Sequence, residues 1–166
     1  MVVFCLFYGY ISLTFKYYGE LMTYMFMSLP MSVFSLVSWL RNPYKGKTSE
    51  VTISKVNRRD IIQMILLTVA VTVAFYFILA YFNTANLIPS TLSVATSFFA
   101  VFLMYKRSPY FALAYAANDV VLIVLWVLAS LEDISYISVV ICFITFLVND
   151  IYSFIKWKRM QKKQAE

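Results

Sequence analysis

The sequence predicts an all-α membrane protein with about six membrane helices in one transmembrane domain, residues 1–166, and three observations carry that expectation. Of its residues, 62% are hydrophobic and the mean hydropathy is +0.77. Several apolar runs reach the roughly 20 residues that cross a hydrocarbon core of about 30 Å. The basic residues, finally, collect in alternate joints between those runs.

Taken in order, the runs place helices near residues 1–15, 20–40, 61–82, 87–105, 109–130 and 133–156. The first is apolar from Val2, without a basic leader or a small-residue cleavage site, so it reads as part of a span and not as a signal peptide. It is the only short one. Pro30 interrupts the second run and is a hinge candidate, whereas Pro89, opening the fourth, suits a first helical turn. The fifth and sixth runs are apolar but carry Asn118, Asp119, Asn149 and Asp150 in their interiors.

Arg41, Lys45, Lys47, Lys55, Arg58, Arg59, Lys106, Arg107, Lys156, Lys158, Arg159, Lys162 and Lys163 fall on one side of this threading. Lys16 alone falls on the other, with Glu20, Glu132 and Asp133. Positive charge marks the cytoplasmic side, so a multi-pass protein of the plasma membrane with a cytoplasmic carboxyl terminus and a tail at 158–166 is expected. The net charge of +6 therefore reports orientation and not nucleic acid. Cys5 and Cys142 lie inside apolar runs and histidine is absent, which leaves no metal set and no disulfide framework. With three glycines there is little material for a phosphate loop, and no nucleophile triad is present. An enzyme, a catalytic residue and a cofactor are not expected.

Sliding the chain on itself by 118 residues aligns Ser12, Leu13, Tyr18, Leu29, Ser35, Trp39, Arg41 and Lys45 with Ser130, Leu131, Tyr136, Leu147, Ser153, Trp157, Arg159 and Lys163. The shared kernel is S-x-x-x-W-x-R at a basic helix end. Both copies run in the same direction, so two parallel three-helix repeats are expected, joined by a linker helix at 61–82. The second repeat comprises 87–157; the first, 1–40, contains barely two helices and reads as truncated, a preceding helix lying upstream of Met1.

A carboxylate at the centre of a membrane helix costs about 2.5–3.5 kcal/mol, so it is kept where it faces a partner or a wet cavity. Helical spacing sets Tyr115, Asp119, Leu122 and Trp126 on one face with Asn118 at its edge. In the last run Cys142, Thr145, Asn149, Ser153 and Trp157 form a polar stripe beside Asp150; Ser28, Ser32, Ser35 and Trp39 form its counterpart in the first repeat. Candidate substrate-binding residues are thus Asn118, Asp119, Tyr115, Trp126, Asn149, Asp150, Ser153, Trp157, Trp39 and Ser35. Acids and aromatics together suit a cationic or heteroaromatic ring, and amides and hydroxyls suit a sugar. The plainer reading is that the pairs and serines only bind neighbouring helices together.

The stretches SPYFALAYAANDVVLIVLW and LEDISYISVVICFITFLVNDIYSFIKWKRM, with YYGELMTYMFMSLPMSVFSLVSWLRN near the amino terminus, resemble the nicotinamide riboside transporters of the PnuC family. The resemblance covers nearly the whole chain. It implies a SWEET-like core of two parallel three-helix bundles joined by a linker helix. It also implies uniport of nicotinamide riboside by facilitated diffusion, with cytosolic phosphorylation trapping the nucleoside for NAD biosynthesis. The family's binding region maps here to Asn118, Asp119, Asn149, Asp150 and Trp157, with Trp39 and its neighbours. Ser32 stands where a larger hydrogen-bonding side chain is expected. The partners implied are the riboside and the lipid membrane; a homo-oligomer is compatible with the chain. The competing readings are a carrier of another vitamin, thiamine or riboflavin, and a noncatalytic membrane scaffold or nonfunctional fragment.

Overall fold

The computed structural model describes residues 1–15, 17–84 and 86–165, the side chains of residues 47–49 excepted. Lys16, the one basic residue expected opposite the others, lies outside the described residues, as does the side chain of Lys47. Among the described residues six helices of more than one turn follow one another: α1 (Val2–Thr14), α2 (Tyr18–Leu40), α3 (Arg58–Tyr81), α4 (Leu87–Tyr105), α5 (Tyr110–Ser130) and α6 (Ile137–Ala165). Among the described residues five helices are long and apolar enough to cross a membrane, α2 to α6. The 13 residues of α1 span about 20 Å at 1.5 Å rise per residue, short of a hydrocarbon core.

Pro30 does not break α2. The six residues before the last α-helical stretch, Thr23–Ser28, form a π-helix, and Pro30 sits in the first turn of Leu29–Leu40. The wider turn re-registers the backbone just where proline removes a donor and crowds the preceding carbonyl. The helix therefore stays continuous and carries Tyr24 into the bundle interior.

Between α2 and α3 a hairpin pairs β1 (Pro43–Tyr44) with β2 (Lys47–Val51). Its turn residues Lys45 and Gly46 both have positive φ, 48° and 75°, the twist that suits a two-residue hairpin loop. Helix α3 opens on a capping box in which the Asn57 N–H donates to Asp60 Oδ2 at 3.1 Å. Asp60 Oδ1 also accepts from Lys106 Nζ at 2.7 Å, tying this end of α3 to the turn after α4.

The most buried helix is α4, whose Ser90, Ser93 and Ser97 let neighbouring backbones come close. By contrast α3 buries only Met64 and Leu79 and presents the rest of its apolar surface outward. Two apolar cores result, one around Phe98, Phe102, Phe111 and Tyr115, the other around Tyr8, Tyr24, Leu122, Trp126 and Phe143. Two contacts join residues that stand 118 positions apart. Trp126 Nε1 donates to Tyr8 Oη at 2.8 Å, and the rings of Trp39 and Trp157 lie 5.0 Å apart.

One feature differs from the expected pattern. Helix α6 continues past residue 156 through Ala165, as its run of Lys, Arg, Met and Gln permits. Its last turn is fastened to the loop after β2, where Gln164 accepts from the Ile53 N–H at 2.9 Å and donates to the Val51 carbonyl at 3.0 Å. Glu20, the third residue of α2, is fully buried against the bundle, which supplies two hydroxyl donors, Ser93 at 3.3 Å and Tyr8 at 3.5 Å.

Candidate functional site

A cavity of about 530 Å³ lies between α1, α2, α5 and α6. Its polar lining comes from α2 through Tyr24, Ser32 and Ser35, from α5 through Tyr115, Asn118 and Asp119, and from α6 through Asn149, Asp150 and Ser153. Aromatic rings complete it: Trp39 on α2, Phe111 on α5, Phe143 and Phe146 on α6, and Phe4 on α1. Helical periodicity explains the convergence. Tyr115, Asn118 and Asp119 occupy adjoining positions one turn apart on α5, and Phe146, Asn149, Asp150 and Ser153 do the same on α6.

The two members of the α5 pair are held differently. Asn118 is 3% exposed and its amide is largely committed: Oδ1 accepts from Thr96 Oγ1 at 2.7 Å and Ser97 Oγ at 2.9 Å, and Nδ2 donates to Tyr24 Oη at 3.3 Å. One N–H is left over. Asp119 is 5% exposed, and its Oδ2 is buried without a hydrogen-bond partner among the described residues. An unsatisfied buried carboxylate oxygen is costly. Its position in the cavity wall makes it the group most in need of a guest.

Eight of the ten residues singled out from the sequence line this cavity: Asn118, Asp119, Tyr115, Asn149, Asp150, Ser153, Trp39 and Ser35. Trp126 and Trp157 do not. Trp126 is wholly buried beyond the cavity, its indole enclosed by Tyr8, Tyr17, Phe15 and Tyr136 and its N–H spent on Tyr8. Trp157 stands behind Trp39 and Phe111, whose rings are 5.0 and 4.9 Å from its own, and so braces the wall from outside. Trp39 itself is anchored by donation from Nε1 to the Met104 carbonyl at 2.8 Å.

Tyr24 is the polar residue that sequence reasoning passed over. It is 1% exposed, lines the cavity, and links Asn118 with Ser97, whose Oγ lies 3.4 Å from the phenol oxygen. The signal was present: the stripe at 28, 32, 35 and 39, carried back one turn, reaches position 24.

The arrangement can receive a flat aromatic ring between rings, neutralise a positive charge with two carboxyl groups, and bond hydroxyls through amides and serines. No Lys or Arg side chain is among the lining residues described. Histidine, cysteine and carboxylate side chains form no cluster of three or more suited to a metal among the described residues.

Comparison with known proteins agrees with this reading of the fold. A family model described as nicotinamide mononucleotide transporter matches residues 1–159. The nicotinamide riboside transporter PnuC of Neisseria mucosa is 24% identical over 162 residues, which is 95% of this chain and 62% of that protein. The chain thus spans less than two thirds of the length of that curated relative. The crystal structure of the vitamin B3 transporter PnuC superposes with a TM-score of 0.79 at 22% identity, covering 98% of this chain and 71% of that one. That likeness is one of fold, a multi-pass helical membrane architecture. With a family match extending over almost all of its residues, the chain belongs to the nicotinamide mononucleotide transporter family.

Proposed function

We propose that the chain carries nicotinamide riboside across the membrane by facilitated diffusion, the cavity at Asp119 being its binding site. The observation that carries this is the partnerless Asp119 Oδ2 in a wall otherwise built of aromatic rings, amides and hydroxyls. Nicotinamide riboside is a pyridinium cation joined to ribose. Its ring suits Trp39, Tyr115 and Phe111, its charge suits Asp119 and Asp150, and its hydroxyls suit Asn149, Ser35 and Ser153. A mononucleotide adds a phosphate, which would face two acids and no lysine or arginine side chain. The riboside is therefore the better fit.

A SWEET-like parse accompanies this reading, with residues 1–40 in a first repeat, 61–82 as linker helix, 87–157 as second repeat and 158–166 as tail. The contacts between Tyr8 and Trp126 and between Trp39 and Trp157 support it. Residues at equivalent positions of two repeats meet when they lie near the axis relating them. A plasma-membrane location with the basic loops and carboxyl terminus in the cytoplasm completes the proposal, entry being made one-way by phosphorylation for NAD biosynthesis.

The test is uptake of labelled substrate into proteoliposomes. Nicotinamide riboside should equilibrate without an ion gradient, and unlabelled riboside should compete far better than nicotinamide mononucleotide, thiamine or riboflavin. Uptake equal to that of empty liposomes, or stronger competition by another vitamin, would overturn it.

A further inference from the structure

A second hollow, of about 860 Å³, opens on the flank of the bundle between α3, α4 and α5 and shares no lining residue with the cavity at Asp119. Its walls are apolar along Val56, Ile61, Met64, Phe99, Leu103 and Leu113, and the small Ala114 and Ala117 keep its floor open. Two hydroxyls deeper in the wall are already spent. Thr68 donates to the Met64 carbonyl at 2.7 Å and Thr96 to Asn118 at 2.7 Å.

The remaining polar lining groups gather at one end. Lys55, Ser54, Ser108, Tyr110 and Gln161 line the mouth. Lys158 adjoins them, its Nζ 3.0 Å from Gln161 Oε1 and 3.4 Å from Tyr110 Oη. The clasp of Gln164 on Val51 and Ile53 holds the segment leading to Lys55 against the last turn of α6.

The depth of the groove identifies what fits it. Thr68, the innermost lining residue on α3, is ten residues from Arg58, about 15 Å along a helix axis, half of a hydrocarbon core of about 30 Å. A helix of a second chain would run past that limit into the other leaflet. An amphiphile with a negative head and a tail one leaflet long matches both the charge and the length.

We infer that this groove is a binding site for an anionic glycerophospholipid of the leaflet facing the basic loops, its headgroup held by Lys55 and Lys158 and an acyl chain laid along α3 and α5. Such a guest would lie along the side of α3 that carries Ile61, Met64 and Thr68.

The experiment is native mass spectrometry of the full chain in detergent with equal amounts of phosphatidylglycerol and phosphatidylcholine. Wild type should retain phosphatidylglycerol preferentially. Lys55→Gln with Lys158→Gln should weaken that retention about fivefold per lysine removed and leave phosphatidylcholine unchanged, whereas Arg41→Gln with Lys45→Gln, equal in charge but outside the groove, should change neither. Ala117→Trp, or Ala117→Leu should the larger residue prevent folding, should displace both lipids, and inorganic phosphate should not compete. Equal loss in the two lysine and arginine pairs, retention unaffected by filling Ala117, or a change of oligomeric mass on filling it would overturn the inference, the last by assigning the groove to a second copy.

Discussion

Asn118 and Asp119 are neighbours in sequence, yet their replacement is expected to damage different properties. Asn118→Leu removes three interhelical hydrogen bonds, to Thr96, Ser97 and Tyr24 at 2.7, 2.9 and 3.3 Å. At about 0.6 kcal/mol for an average hydrogen bond within a membrane, with single cases up to about 1.7, the loss is about 2 kcal/mol. Asp119→Asn keeps the shape, and Oδ2 has no hydrogen bond to lose, so no destabilisation like that of Asn118→Leu is expected. Binding should suffer instead. An ionised Asp119 about 5.5 Å from a pyridinium charge contributes about 3 kcal/mol at an effective dielectric constant near 20, roughly 100-fold in Kd. Denaturant unfolding in micelles measures the first quantity and titration calorimetry with nicotinamide riboside the second. Wild-type affinity in Asp119→Asn, or a 2 kcal/mol destabilisation there with none in Asn118→Leu, would refute the division of roles.

Four further outcomes follow from the packing. Gly19→Ala should destabilise by about 1–3 kcal/mol, because a Cβ there would stand 2.5 Å from Leu79 Cδ2 and 2.6 Å from Thr84 Cγ2. Gly9→Ala should cost less in the same unfolding assay, since the atom it meets, Met25 Sδ at 2.7 Å, belongs to a long flexible side chain. Trp126→Phe should lower stability by about 1 kcal/mol through the lost donation to Tyr8 while leaving riboside affinity intact, its ring standing outside the cavity. Donation from the Ser135 N–H at 2.9 Å holds the exposed Asp133 carboxyl below its ordinary value. The contribution of that turn should therefore be full above about pH 3.9 and vanish as pH falls through the lower folded value. The Tm difference between wild type and Asp133→Ala should be constant at neutral pH and close on acidification; a difference that widened in acid would contradict it.

Hydrophobic run length was enough to place the helices, because a span must satisfy its own backbone and so announces itself as about 20 apolar residues. The fourth run and α4 coincide at 87–105. What run length cannot carry is local chemistry. The π-helical turn before Pro30 depends on how one helix is packed, and the hairpin at Lys45 and Gly46 on two positive φ angles at a dipeptide with only a weak turn signature. For the cavity, the polar stripes were legible because a polar atom in an apolar helix stands out against its surroundings. The burial of Glu20 was not legible for the converse reason. An acid in the first turn of a helix looks solvated until Tyr8 and Ser93, 12 and 73 positions away, are brought to it. Trp126 shared a helical face with Asp119, but a face nearly two turns long passes from the cavity into the aromatic core, and spacing alone does not mark where it crosses.

The three indoles are unequally placed, one at the cavity wall, one directly behind it, and one enclosed at the far core. Were the proposed pyridinium guest to enter, ultraviolet emission from the unlabelled chain would divide into a fraction that it quenches and a fraction that it does not. Trp126→Phe would strip away the silent background and turn the molecule into an optical titration of its own occupancy.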